Sequence, residues 1–239
     1  MKPLHITVVI PSFNNEKYVT KNLTSILGQS YPHVQILYLD DASTDSTPIL
    51  AKSMLKTSQG EVISRPKRVY GMENLYFVIK QLPEEEVVVV VDGDDWLCHS
   101  EVLSMIARCY EDKAPLLTFG RYVKYPLFTE GPFLSQYRGL EIRKHAWFLS
   151  HLKTFRAGLF QKIIKDDLMV NGAFVKSAID VAMMWPMYEM AGDRVHQMEE
   201  VLYVYNFENA NSVATSRPGE QQEVAKRLSQ IPPYKPIDL

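Results

Sequence analysis

The stretch VVVVVDGDDW, residues 87–96, decides the fold of this chain. Its five successive valines predict a strand buried on both faces, at the centre of a parallel sheet. Three carboxylates then follow within four positions, and they repel one another unless a cation lies among them. Oxygen ligands of this kind suit Mg²⁺ or Mn²⁺. We therefore expect a metal-binding loop at the end of a central strand; the alternative is a charged turn that binds nothing.

Two other predicted strands also end in polar residues. The first is followed by Pro11-Ser12-Phe13-Asn14-Asn15, and the second by Asp40-Asp41 and a run of hydroxyl residues. Because parallel strands present their carboxyl ends at one edge of a sheet, these segments should meet residues 92–95 there. Ser43 is expected to cap the following helix. Neither a G-x-G-x-x-G nor a G-x-x-x-x-G-K-[ST] motif occurs, which disfavours a Rossmann dinucleotide site and a P-loop.

Strand and helix patterns alternate along the first half, which predicts an α/β fold with right-handed crossovers. The expected strands are 6–10, 34–39, 61–64, 87–91 and 115–119. The expected helices are 14–29, one that follows the Ser43 cap and runs through Ile49, Leu50 and Met54, 74–82 and 101–110. The second half predicts a loop-rich excursion at 122–139, a helix at 176–191 kinked at Pro186, strands at 195–199 and 201–205, and a helix at 220–231.

Composition limits the possible functions. The 239 residues are 46% hydrophobic, with 26 basic and 28 acidic residues and a net charge of -2. This balance argues against nucleic acid as a partner. The two cysteines suit a reducing compartment. The longest aliphatic run is five residues, far short of the roughly 20 that span a bilayer. We expect a cytoplasmic protein whose only membrane contact would be peripheral, at the inner face.

The segment 138–165 carries seven basic residues and one acidic residue, Glu141. It also contains His145, Trp147, His151 and Arg156, which could bind an acceptor sugar or phosphate, because aromatic rings stack on sugars and arginine grips phosphate. A membrane-surface contact is a further possibility. The alternative interpretation is an amphipathic helix with a solvated basic face.

Three segments together resemble a known family. VVIPSFNNEKYV (8–19), DDASTDST (40–47) and VVVVVDGDDWL (87–97), in this order and spacing, are similar to the inverting glycosyltransferases of family two. The resemblance implies the GT-A fold, a Rossmann-like, mostly parallel central sheet flanked by helices. It implies one domain over residues 1–239. Within it, residues 1–120 would bind the nucleotide sugar, residues 121–216 would bind the acceptor, and residues 217–239 would form a tail.

The resemblance also implies roles for residues at the donor end. Pro11, Phe13 and Asp41 match positions that hold the nucleotide base, with Asp41 accepting from the uracil N3–H of a UDP-sugar. Asp92 and Asp94 match the Asp-x-Asp pair that contacts ribose and metal. Either Asp94 or Asp95 would be the metal ligand, and the cofactor would be manganese or magnesium. Arg68, with Arg65 or Lys67 as alternatives, would supply positive charge to the nucleotide, since Glu73 stands at a position that is basic in the family.

Asp180 matches the general base, which takes the proton from an acceptor hydroxyl and leads to inversion. Its alternative role is to cap its own helix. Trp185 would either pack in the core or line the acceptor site. Many family members carry Arg-x-His after a late tyrosine; this chain has Tyr205-Asn206-Phe207-Glu208-Asn209 without a histidine. Glu208 or Asn209 would then have to replace that ligand.

The leading hypothesis is a metal-dependent inverting glycosyltransferase that moves a sugar from a nucleotide-diphospho-sugar to a hydroxyl of a glycan or glycoconjugate. One alternative is a nucleotide-sugar-binding module that has lost catalysis, which the altered segment 205–209 favours. Another is a sugar nucleotidyltransferase. That class needs a glycine-rich loop after the first strand, where this chain has Pro11-Ser12-Phe13.

Overall fold

The computed structural model describes residues 3–56, 60–132, 134, 136–144, 149–209 and 218–239. The strands are β1 Ile6–Ser12, β2 Val34–Asp40, β3 Gly60–Ser64, β4 Val87–Val90, β5 Trp96–Leu97, β6 Leu117–Tyr125, β7 Thr129–Glu130, β8 Lys153–Arg156, β9 Met169–Val170, β10 Ala173–Phe174 and β11 Val195–Asn206. The helices are α1 Val19–Leu27, α2 Thr47–Leu55, α3 Tyr70–Ile79, α4 Val102–Lys113, α5 Ala157–Gln161, α6 Ile179–Ala191 and a C-terminal helix, Pro218–Leu228.

Nine strands form one sheet in the order β3-β2-β1-β4-β8-β6-β11-β5, with β7 joined to β6. The pairs among β3, β2, β1 and β4 are all parallel, and Val8 lies opposite Val89. All four valines of β4 are at most 2% exposed because helices cover both faces of the sheet. The buried central strand predicted from the valine run is confirmed.

The second half inserts an antiparallel strand into this sheet. β8 runs between β4 and β6 and is antiparallel to both, with Lys153 opposite Val90. The sheet is therefore mixed rather than wholly parallel. The alternative of a basic amphipathic helix across this segment is wrong for residues 153–156, since their backbone groups pair with two neighbouring strands.

Several element boundaries differ from expectation because contacts distant in sequence fix them. The first helix begins at Val19 rather than at residue 14, since the backbone N–H of Asn14 donates to Ser43 Oγ and that of Asn15 donates to Thr47 Oγ1. Ser43 therefore ties two loops together, and α2 begins only at Thr47.

The second half of the chain is more regular than expected. β6 continues to Tyr125 and takes in the start of the excursion predicted at 122–139. Residues 195–206 form one strand with register shifts near Val201 instead of two separate strands. α6 continues as one helix through Pro186.

The C-terminal segment packs against α6. Arg143 and Glu189 form a buried ion pair, with Nε and Oε1 2.6 Å apart. Arg143 also donates to the carbonyl oxygens of Leu228 and Ile231, and Tyr234 N donates to Glu189. Across the described ranges, no helix has both the length and the apolar character needed to cross a bilayer.

Candidate active site

A cleft of about 690 Å³ opens at the carboxyl edge of β1, β2 and β4, beside the N-terminus of α6. It brings together the three polar segments that the sequence placed at strand ends. The predicted site residues that line it are Pro11, Phe13, Asp41, Arg68, Asp92, Asp94, Asp95, His151 and Asp180.

One end of the cleft is a platform built by Phe13, Asp41 and Arg68. The Arg68 guanidinium lies 3.6 Å from the centre of the Phe13 ring and 3.8 Å from Asp41 Oδ2. Asp41 Oδ1 accepts from Val69 N and Asn74 Nδ2, and Oδ2 accepts from Tyr70 N, so this buried carboxylate orders the start of α3. Each carboxylate oxygen has two acceptor sites, and Oδ2 keeps one for a ligand.

The acidic loop fills the middle of the cleft, and its three carboxylates differ. Asp95 is fully buried; its oxygens accept from Asn206 N and from the Tyr203 hydroxyl, both at 2.7 Å. Asp94 Oδ2 accepts from Asn209 Nδ2 at 2.7 Å. The Asp92 side chain is 36% exposed and faces the cleft.

Burial and mutual repulsion perturb these acids. Burial raises the pKa of Asp94, and burial with the neighbouring carboxylates raises that of Asp95 well above the usual range. Burial also raises the pKa of Asp92 to about 6, against the opposing effect of the Lys153 ammonium. A divalent cation would reverse these shifts by stabilising the charged forms.

Gly93 lets the acidic loop pass close to β1. A Cβ atom at this position would lie 2.5 Å from Ser12 Oγ and 2.7 Å from Asn15 Nδ2. Replacing Gly93 with Ala is expected to destabilise the fold by about 1–3 kcal/mol, because the loop must shift to relieve the overlap. Urea unfolding measures this change.

The matched control is Gly120→Ala in β6. A Cβ atom there meets nothing closer than 3.5 Å, so its stability should hold or rise slightly. Equal stability of the two variants would show that the loop is not held against Ser12.

Asp180 lies in the first turn of α6, with its side chain 39% exposed toward the cleft. Its Oδ1 accepts from Lys153 Nζ at 2.5 Å. Burial alone would raise the pKa of Asp180, but the Lys153 ammonium outweighs that effect and holds the pKa below its ordinary value. The carboxylate is therefore ionised at neutral pH, as a general base must be.

Lys153 was not predicted from the sequence; it is 1% exposed and also lies 3.9 Å from Asp92 Oδ2. The only sequence feature that could have indicated its burial is its position between the apolar residues of the stretch Leu152-Lys153-Thr154-Phe155. Such a residue is usually assigned to the solvent face of a strand, so the pattern alone does not place it under the site.

His151 lies beside Asp92 within a cluster of tyrosines. Its ring stacks on Tyr203 with centroids 4.5 Å apart, and Tyr122 and Tyr205 flank it. Burial and the nearby Lys153 charge lower the pKa of His151 to about 3, so the imidazole is neutral. Its buried Nδ1 has no hydrogen-bond partner and lies 4.0 Å from Asp92 Oδ2.

These groups fit a divalent cation. Ligand atoms of Asp92, Asp95 and His151 lie within 4.8 Å of one another. The unpartnered nitrogen and the crowded carboxylates are the donor set that such an ion satisfies. Asn209 serves Asp94 as a hydrogen-bond donor, and Glu208 is exposed and absent from the cleft lining.

Two of the expected acceptor contacts are wrong. Arg156 pairs with Val87 at the opposite edge of the sheet and donates to the Glu85 carbonyl oxygen, so it cannot reach the cleft. Trp185 is buried with Arg143 and Leu228 and is not among the residues that line the cleft. Trp147 and His145 fall outside the described residues. The cleft lining also includes residues that were not predicted, among them Tyr122, Lys124, Tyr205 and Phe207.

Comparison with solved structures identifies the fold. The Staphylococcus aureus TarS fragment 1-349 in complex with UDP-GlcNAc superimposes with a TM-score of 0.71 over 94% of this chain and 65% of that chain, at 17% identity. The mannosyltransferase PcManGT from Pyrobaculum calidifontis, in complex with GDP-Man and Mn²⁺, gives a TM-score of 0.61 over 88% of this chain and 59% of that chain, at 19% identity. The expected GT-A fold is confirmed.

Comparison of sequences identifies the family. The poly(ribitol-phosphate) beta-N-acetylglucosaminyltransferase TarS of S. aureus is 28% identical over 240 residues, which cover 93% of this chain and 37% of that relative. This chain thus spans just over a third of the relative's length. The model of the family described as "Glycosyl transferase family 2" matches residues 7–180. Since this match covers well over half of the chain, the protein belongs to glycosyl transferase family 2, a family of transferase enzymes.

Proposed function

We propose that this enzyme transfers a sugar from a UDP-sugar to a hydroxyl of a glycan or glycoconjugate, with inversion and with a divalent cation. One observation carries the proposal. The ionised Asp180, the acidic loop and the Phe13–Arg68 platform all line the same cleft. The TarS complex named above contains UDP-GlcNAc, which favours an N-acetylglucosamine donor.

The donor nucleotide would lie at the platform end. A planar base can stack on Phe13 and Arg68, as aromatic and guanidinium faces allow. The remaining acceptor site on Asp41 Oδ2 suits an N–H of the base, and Pro11 lines the same end. Asp92, which is open to the cleft, would accept from ribose hydroxyls.

Asp94 would hold manganese or magnesium, together with members of the Asp92, Asp95 and His151 group. When bound, the ion supplies positive charge that stabilises the departing diphosphate. The relative complexed with Mn²⁺ supports this choice of ion.

Asp180 would act from the first turn of α6, which borders the cleft. Its carboxylate takes the proton of the acceptor hydroxyl while that oxygen attacks the anomeric carbon opposite the leaving diphosphate. The new C–O bond forms as the bond to the diphosphate oxygen breaks, so the configuration inverts. Tyr205 and Phe207 offer rings on which acceptor sugars could stack, with Lys124 beside them for an anionic group.

A transfer assay tests the proposal. The protein is incubated with Mn²⁺, UDP-GlcNAc, UDP-glucose or UDP-galactose, and polyol-phosphate or glycan acceptors, and products are characterised by NMR. An α-linked donor should yield a β-linked product. An α-linked product would contradict inversion. Donor binding without any transfer across the panel would favour the non-catalytic module, which the missing late histidine supports.

A further inference from the structure

We propose that Lys153 is a positioning residue that fixes the Asp180 carboxylate for proton transfer. It does so by binding one carboxylate oxygen from beneath the site. This inference rests on the proposed function, in which Asp180 is the base.

The placement of Lys153 suits this role. It begins β8, between β4 and β6, so its backbone is fixed by the centre of the sheet. Its side chain is 1% exposed and is not among the residues that line the cleft, so it lies beneath the surface that a substrate would contact. Its ammonium nevertheless reaches Asp180 Oδ1 at 2.5 Å and stands 3.9 Å from Asp92 Oδ2.

Stability alone does not explain a cation at this depth. Burying an ammonium costs free energy, and well-packed apolar side chains often replace buried ion pairs without loss. Within the described part of the chain, Lys153 is the only cation within ion-pair distance of Asp180. Without it, the ionised Asp180 and Asp92 would face each other with no positive charge between them.

The hydrogen bond from Lys153 gives the two carboxylate oxygens of Asp180 different roles. Lys153 occupies Oδ1 and thereby limits rotation of the carboxylate, so Oδ2 is the atom that we assign to the acceptor proton. Correct orientation of a base contributes strongly to rate, because a misplacement of about 1 Å can cost about 100-fold. Removing Lys153 should therefore act on the chemical step, and binding of the nucleotide base at the Phe13–Arg68 platform should be spared.

The test compares Lys153→Met with Lys153→Arg. Met keeps an unbranched apolar side chain and removes the charge, so kcat should fall about 100-fold while the Kd for UDP with Mn²⁺ changes less than about threefold. Arg restores the positive charge and should recover part of kcat. Lys162→Met is the matched control: it removes a surface lysine paired with Glu84, and kcat should not change.

A double-mutant cycle separates positioning from a general structural effect. If Lys153 acts through Asp180, Lys153→Met should lower the residual single-turnover rate of Asp180→Asn by less than about threefold. If it instead costs the same 100-fold in that background, the inference is wrong. The inference is equally overturned if Lys153→Met retains kcat or loses donor affinity in parallel with kcat. If the wild-type protein binds donor but transfers nothing, the proposed function fails first.

Should Lys153→Met fail to fold, Lys153→Leu provides a second apolar variant, which likewise cannot donate a hydrogen bond to Asp180. Circular dichroism and urea unfolding establish which variants are folded before kinetics are measured. A folded Leu variant with wild-type kcat would show that the Lys153 hydrogen bond to Asp180 is dispensable, which would also contradict the inference.

Discussion

Replacing Asp180 with Asn is expected to lower the rate of sugar transfer about a thousandfold, because the amide cannot take the acceptor's proton. The amide has nearly the same shape and its oxygen can still accept from Lys153, so the cleft should keep its form. Affinity for UDP should hold within about twofold, since the nucleotide end of the cleft is built by Phe13, Asp41 and Arg68. Steady-state kinetics and calorimetry measure the two quantities separately.

Asp193→Asn is the control for the Asp180 variant. Asp193 is an exposed acid just beyond the other end of α6, and its loss should change neither transfer nor binding. Unchanged transfer by Asp180→Asn would place the base elsewhere and leave the Asp180 carboxylate with only a structural role.

Replacing Asp94 with Asn is expected to weaken metal-dependent binding of UDP about 100-fold. The substitution removes the charge of a carboxylate that faces the cleft, and divalent cations bind neutral amides less strongly than carboxylates. Binding measured without metal should change little. Calorimetric titration of UDP with and without Mn²⁺ separates the two contributions.

Asp95→Asn resolves which acid is the ligand, a question that the sequence left open. Because Asn206 N and the Tyr203 hydroxyl occupy its two oxygens, an amide nitrogen would face one of those donors. We expect a loss of about 2–3 kcal/mol in the free energy of unfolding. If Asp94→Asn kept full metal-dependent affinity and Asp95→Asn lost it, the assignment of the ligand to Asp94 would be wrong.

The parts of the site that sequence predicted depend on local patterns. Five successive valines predict a buried strand. Acids that follow such a strand lie at the carboxyl edge of the sheet. Asp41, Asp92 and Asp94 therefore meet in one cleft, as expected. The start of α3 was placed too late, because the acceptor for its first N–H groups is Asp41, far away along the chain.

The parts that sequence missed depend on tertiary contacts or on helix geometry. β8 has four residues, too few for a period to be recognised, so the burial of Lys153 and the distant position of Arg156 were not foreseen. Trp185 could have been excluded: five residues along a helix turn it by about 140° from Asp180, onto a nearly opposite face. The two residues cannot both face the acceptor.

The central claim is that the acidic loop and the Phe13–Arg68 platform form one metal-dependent nucleotide site. Its most direct test is calorimetric titration of UDP, GDP, CDP and dTDP into the protein, with and without Mn²⁺. We expect UDP to bind most tightly and Mn²⁺ to strengthen its binding at least about tenfold. Equal binding with and without metal, or no binding of any of the four nucleotides, would contradict it.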